Sequence, residues 1–521
     1  MDVLAALLIE LIVIAVLFEI ARRVGVPYPA LFVLGGVALG LVPRLPHITL
    51  EPDLVLLVFL PPLLFAAAFE TPLRDLRRSI WPIARLSVGL VLVTTIAVAA
   101  VAQALVPGLG WAPAFALGAI VAPTDAIAAT SVFRRLGVPR IVVTLVEGES
   151  LFNDATALIT YRAALAAVLT GSFVAASAAG SFVVSGAGGI AIGAVVGLVL
   201  AQVVKWLDDP PVEVLVSLLI PFAAYLPAEE LGVSGVLAVV TAGLVIGRQL
   251  GTMLSPSSRL LWLTSWKMVG FVLNGLAFVL VGLALPDVIT GLRADDVPPA
   301  QLVGLAVLVV AVVVGTRFAW VFLAGLLPGS PRRQIAERDP ALAWRLTFLV
   351  GWAGLRGAVS LAAALALPLN FPERNLILFL TFVVILATLV GQGLTLPAVV
   401  RWARWDGVDG DADEMQLARA TMLQVGLGAV KLERRRWPGH GPLLDRLEAG
   451  LQNRQEHLET GNAEETDERR QEHLEHTEIQ QSVINAQRGA VIALRDAGEI
   501  NDATLRTLER ELDLEELRMD A

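Results

Sequence analysis

The chain has 521 residues, of which 56% are hydrophobic and only 17% charged, with a mean hydropathy of +0.72. That balance excludes an ordinary soluble domain, which needs more charge to cover its surface, and points to a membrane protein. There is no cysteine, which excludes disulfides, thiolate chemistry and cysteine-ligated metals. The formal net charge of -9 mostly describes a tail, because charged residues are sparse up to about residue 404 and dense after it.

The first apolar stretch, Val3 to Ile20, lacks a basic leader and a small-residue cleavage site, so it reads as a retained helix rather than a signal peptide. About 20 apolar residues cross a bilayer. Runs of that kind lie near 3–21, 24–42, 54–70, 80–105, 112–133, 141–169, 181–205, 212–228, 232–248, 262–285, 300–327, 343–367 and 376–400. The expected fold is therefore an all-α polytopic membrane protein of about 13 transmembrane helices. Arginines and lysines concentrate in alternate loops: Arg22 and Arg23, then Arg74, Arg77 and Arg78, then Arg134, Arg135 and Arg140, Lys205, Arg248 and Arg259, and Arg332, Arg333 and Arg338. The other loops hold only Arg44, Arg293 and Arg374. By the positive-inside rule the amino terminus is outside and the tail cytoplasmic.

Two domains are expected: a transmembrane part over 1–404 and a charged helical tail over 405–521. In the tail, Asn501 or Asp502 can cap a helix carrying Leu505, Leu508 and Leu512. The run from Glu456 to Gln481 reads as solvated helix or linker, and a pH-sensing or dimer-stabilising role is the alternative to a plain appendage. Of the five histidines only His47 lies before the tail, so a histidine-built metal site in the membrane is not expected.

Ionisable residues inside a bilayer are costly and mark function by default. The fifth segment carries Pro123-Thr124-Asp125. Proline removes a backbone donor and frees carbonyls in mid-membrane, and the hydroxyl and carboxylate that follow at once suit a hard, weakly held ion such as Na⁺. A kinked helix whose Asp125 pairs with an arginine is the structural alternative. The sixth segment carries Glu147, Glu149, Ser150, Asn153 and Asp154. Ser150 and Asp154 are i,i+4 neighbours, as are Glu149 and Asn153, which makes two adjoining polar edges. Arg317 and Arg356 are embedded in the eleventh and twelfth segments, and each buried guanidinium must find a carboxylate or backbone carbonyls. Glycines around Arg356 mark a second breakable helix; if segments 1–6 repeat as 8–13, the fifth and twelfth correspond, as in transporters built from inverted repeats. Glu70 ends the third segment, where it either faces Arg74 or joins the polar site. Glu19 is expected to pair with Arg22 or Arg23, Lys267 to be interfacial, and Glu10 has no evident partner.

Pro123-Thr124-Asp125, Glu149-Ser150-Leu-Phe-Asn153-Asp154 and Gly354-Leu-Arg356-Gly357-Ala together resemble the monovalent cation:proton antiporters that include the sodium/proton exchangers, in the branch with Asn-Asp at the ion site. The resemblance covers roughly residues 1–404. It implies that Asp154 binds cation and proton in turn, with Ser150, Thr124 and Glu70 completing the Na⁺ site. It also implies that Asp125 and Asn153 hold two crossed, interrupted helices, that Glu149 and Arg317 form a buried ion pair, and that Arg356 satisfies helix termini or Asp125. The implied protein is a plasma-membrane homodimer serving pH homeostasis, with a core domain moving against a dimerisation domain. Its partners would be monovalent cations, protons and lipid, with no cofactor and no nucleic acid.

Other functions fit less well. A channel needs a continuous polar lining, whereas these residues cluster at one level. Gly232-Val-Ser234-Gly235 superficially resembles a serine-protease turn, but no membrane histidine can act as base, and no phosphate-binding loop supports an ATP-driven pump. The resemblance implies exchange of Na⁺, or Li⁺ or K⁺, for H⁺ rather than an enzymatic reaction, and the exchange is expected to be electroneutral because Asp154 alone would alternate between cation and proton.

Overall fold

In the computed structural model, the described residues are 2–24, 26–42, 52–171, 175–294, 298–337, 339–403, 410–460 and 467–497, with isolated positions beyond. Two compact units divide the chain, Met1–Val408 and Asp409–Ala521.

In the first unit each expected apolar run is helical over most of its described residues. The helices are α1 (Asp2–Val24), α2 (Tyr28–Gly40), α3 (Pro52–Glu70) and α4 (Ile80–Leu105). Next come α5a (Trp111–Val121), α5b (Ala126–Arg135), α6 (Arg140–Thr170), α7 (Ala175–Val204), α8 (Pro210–Glu230) and α9 (Gly235–Met253). The last are α10 (Pro256–Leu283), α11 (Pro299–Leu326), α12a (Pro340–Trp352), α12b (Ala358–Leu365) and α13 (Arg374–Ala403). Among the described residues, 8 helices are long and apolar enough to cross a membrane unaided. The fifth and twelfth segments are the interrupted ones, α5 at Ala122–Asp125 and α12 at Ala353–Gly357.

Local chemistry sets these boundaries. Asp125 begins α5b, its Oδ1 accepting the Ile127 amide at 2.8 Å, while Ser234, Ser255 and Asp339 cap α9, α10 and α12a in the same way. Gly171 stops α6 with φ 68, a left-handed conformation that costs glycine little. Of the polar positions singled out near helix ends, Glu19 takes both Arg22 and Arg23, at 2.8 and 2.7 Å.

The helices sort into two bundles. In one, α4, α5, α6, α11, α12 and α13 contact one another; in the other, α2 lies along α10, α7 along α9, and α9 along α3. Small residues allow these approaches: Gly36 sits against the backbone of Val279 and Gly282, and Gly247 against that of Phe69. Close backbone contact of this kind is how membrane helices associate without a hydrophobic driving force.

Among the described residues of the second unit are the long helices α14 (Gly410–Arg436), α15 (Gly441–Thr460) and α16 (Asp467–Asp496). Within it, Arg434 bridges from α14 to Asp445 and Glu448 of α15, both at 2.7 Å. The run from Glu456 to Gln481 is helical on both sides of residues 461–466, which lie outside the described residues together with Asn501 and Asp502.

Candidate functional site

The two interruptions meet. The Asp125 amide donates to the Leu355 carbonyl at 2.8 Å, and Arg356 Nη1 donates to the Ala122 carbonyl. Ala122 caps the C-terminal end of α5a, where a carbonyl has no donor from its own helix, and a guanidinium from the other break supplies one. Arg356 is fully buried and is fixed at its own amide by Thr388 Oγ1, 3.1 Å away on α13. It reaches a helix terminus, not the Asp125 carboxylate. Gly357 lies so close to the Asp125 side chain that a Cβ there would overlap it.

α6 lies alongside both halves of α5 and supplies the remaining polar groups. Asn153 Nδ2 donates to the Thr124 carbonyl at 3.1 Å and to the Thr124 hydroxyl at 2.8 Å. The Thr124 hydroxyl in turn donates to Glu149 Oε1 at 2.9 Å. Glu149, 1% exposed, also takes Arg317, which donates from Nη2 at 3.0 Å and from Nη1 at 2.5 Å. Arg317 then uses Nε and Nη2 on the carbonyls of Gly351 and Val350, 3.1 and 3.0 Å away at the end of α12a. One hydrogen-bonded chain thus runs from α11 and α12a through α6 to the break in α5.

Ser150 and Asp154 face differently. Ser150 Oγ accepts the Ala126 amide at 3.2 Å, at the first turn of α5b. Asp154 is 7% exposed, and among the described residues no group hydrogen-bonds its carboxylate. Both residues border a cavity of about 770 Å³ that also receives Thr124, Asp125 and Glu70. The cavity lies between the bundles, with α2, α3 and α10 on one side and α5, α6 and α12b on the other. Glu70 is exposed; the ion pair of Arg134 and Glu147, at 2.9 Å, borders the same cavity, and among the described residues no ion pair joins Glu70 to Arg74.

The cavity wall also includes Tyr28, Asn274 and Ser360. None of these stands out in the sequence, and neither does Thr388, because a lone hydroxyl or amide in an apolar helix carries no periodic signal. Gly357 could have been found from its place beside Arg356 in a break.

Residues 9–402 match the family model described as sodium/hydrogen exchanger, transmembrane. The chain belongs to the sodium/hydrogen exchanger family. It is 37% identical to an uncharacterized Na(+)/H(+) exchanger of Mycobacterium bovis over 99% of this chain and 96% of that one. A sodium, potassium, lithium and rubidium/H(+) antiporter of Bacillus pumilus is 35% identical over 76% of this chain and 61% of its own length. In fold, the chain is similar to the sodium proton antiporter MjNhaP1 from Methanocaldococcus jannaschii, with a TM-score of 0.58 at 20% identity over 75% of this chain and 100% of that one. The family is one of multi-pass membrane antiporters, not of enzymes, and the composition and helical architecture of this exchanger agree with that.

Proposed function

We propose that this exchanger carries one Na⁺ against one H⁺ by alternating access across the plasma membrane, with Asp154 as the shared site. The carrying observation is a buried carboxylate that, among the described residues, has no hydrogen-bond or ion-pair partner, on the wall of a cavity between two helix bundles. A carboxylate so placed is costly when bare, so it is stable only with a proton or a cation on it. Cation and proton then compete for one group, which is antiport in its simplest form. Ser150 and Thr124 supply neutral oxygen beside Asp154, and Glu70 is the outer member of the site. Asp125, Asn153, Glu149, Arg317 and Arg356 hold the broken helices rather than the ion. Movement of one bundle against the other exposes the site to each side in turn, and the working unit is a homodimer with its tail in the cytoplasm.

A single carboxylate with hydroxyl and carbonyl oxygens also accommodates Li⁺ or K⁺, ions named for the Bacillus pumilus relative. Purified protein in liposomes tests the reading: impose a sodium, lithium or potassium gradient and follow lumenal pH with a dye. Asp154→Asn is expected to abolish exchange in protein that remains folded. Sodium-driven proton flux persisting in that variant removes Asp154 from the mechanism.

A further inference from the structure

A second, smaller cavity of about 70 Å³ lies within the bundle of α4, α6, α11 and α12a, away from the ion site. Arg85 and Arg332 border it, with Ser330, Thr347, Leu86 and Val321. Arg85 belongs to the first part of α4, and its Nη2 donates to the Pro328 carbonyl at 3.0 Å. Its Nη1 is buried and, among the described residues, has no hydrogen-bond partner. Arg332 spends Nη1 on the Phe322 carbonyl at 3.0 Å and lies 5.3 Å from the centre of the Phe322 ring.

Two guanidinium groups therefore share one apolar crevice. Among the described residues no carboxylate forms an ion pair with either; Asp75, ten residues before Arg85, is taken by Arg140 at 3.0 Å. The hydroxyls are occupied as donors, Ser330 on the Gly325 carbonyl at 2.6 Å and Thr347 on the Ala343 carbonyl at 2.6 Å. Among the described residues, the crevice thus offers positive charge and donors but no acceptor bonded to Arg85 Nη1. A buried donor left unpaired costs free energy, and a charged one costs more. The planar guanidinium fork matches the oxygens of a phosphate group. A cavity needs only about 10–15 Å³ to hold a water, so this one has room for a larger group.

The surroundings select where that phosphate comes from. Trp81, Leu323 and Leu326 near the same ends of α4 and α11 are exposed at 72%, 55% and 65%, as side chains facing lipid would be. Arg77 and Arg78 precede α4 and Arg333 follows Arg332, so the same end is strongly positive. Clustered basic side chains beside membrane helices attract anionic headgroups.

We propose that this crevice binds a phosphate-bearing anionic group, the headgroup of an anionic phospholipid, held by Arg85 and Arg332. A headgroup there would brace α4, the end of α11 and α12a, the last two of which carry Arg317 and its carbonyl partners. This site is independent of the ion site, and its test does not require transport.

The experiment uses the full chain in detergent and follows its thermal unfolding with added phosphatidylglycerol, phosphatidylcholine or inorganic phosphate. Lipid retained through purification is counted in parallel by native mass spectrometry. Phosphatidylglycerol is expected to raise the unfolding temperature more than phosphatidylcholine does. Arg332→Gln, at a half-buried position, should weaken apparent phosphatidylglycerol affinity at least about tenfold, the effect of losing one charge-assisted contact. Arg85→Lys keeps the charge but removes the fork and should weaken binding less than Arg85→Gln does. A shift produced equally by inorganic phosphate and lost in Arg332→Gln supports the site with free phosphate as its source. Equal shifts from the two lipids with none from phosphate, or a phosphatidylglycerol shift unchanged in both Arg332→Gln and Arg85→Gln, overturn the proposal.

Discussion

The Asp125 amide donates to the Leu355 carbonyl at 2.8 Å, joining one interrupted helix to the other through main chain alone. That bond requires the two breaks to approach closely, and Gly357 is the residue that permits it. A Cβ at Gly357 would press on the Asp125 carboxylate, whereas one at Gly304 on α11 meets nothing within 4 Å. Overpacking a close contact costs about 1–3 kcal/mol. Gly357→Ala should therefore lower thermal stability and slow exchange, and Gly304→Ala should do neither. Equal behaviour of the two variants in a melting experiment would show that the breaks do not need this approach.

Glu149 and Arg317 are both about 1% exposed and joined by two hydrogen bonds. Removing one partner strands the other charge, at a cost of about 3–5 kcal/mol. Glu149→Gln and Arg317→Ala should each lower the unfolding temperature sharply, and the double variant should lose less than the sum. A double-mutant cycle with additive losses would contradict the coupling. Arg317 keeps two carbonyl partners when Glu149 is changed, so Glu149→Gln should be the milder of the two.

Ser150 sits where α5b begins, accepting the Ala126 amide, and on the cavity wall beside Asp154. If its oxygen is a cation ligand, Ser150→Ala removes a ligand and leaves the proton site intact. The half-saturating sodium concentration should then rise more than maximal turnover falls. Turnover lost at unchanged sodium dependence would assign Ser150 to helix capping alone.

Charge counting at Asp154 leads to an electrical test. The group crosses either as carboxylate with Na⁺ or as carboxylic acid, and both are neutral, so one-for-one exchange moves no net charge. Asn153 matters here, since an aspartate in its place could carry a second proton, but it is an amide whose Nδ2 is committed to Thr124. Glu70 would upset the count if it changed protonation during the cycle. A membrane potential imposed with potassium and valinomycin should drive no sodium uptake into liposomes holding the protein. Uptake that follows the voltage, with leak-free control liposomes, would make transport electrogenic.

Much of this protein was legible in one dimension. Apolar runs of bilayer length locate the helices because the hydrocarbon core imposes a minimum length on any spanning segment. Pro123 and the glycines around Arg356 mark the interruptions because each acts on its own backbone. The sequence also concentrates acids on α6, where i,i+4 spacing alone sets Ser150 beside Asp154 and Glu149 beside Asn153.

Partnership across the fold was not legible in spacing and periodicity, because it depends on which helices are neighbours. Chemistry requires that a buried guanidinium find an acceptor, and the family resemblance implied Glu149 for Arg317 and helix termini or Asp125 for Arg356. Tertiary packing brings Arg317 to Glu149 and decides between the two for Arg356, in favour of the Ala122 carbonyl. Thr388 holds the Arg356 amide, and Glu70 borders the cavity without pairing with Arg74, for the same reason. Helical spacing constrains residues within one turn of each other, whereas contacts more than a hundred residues apart are set by how the bundles close around buried polar groups.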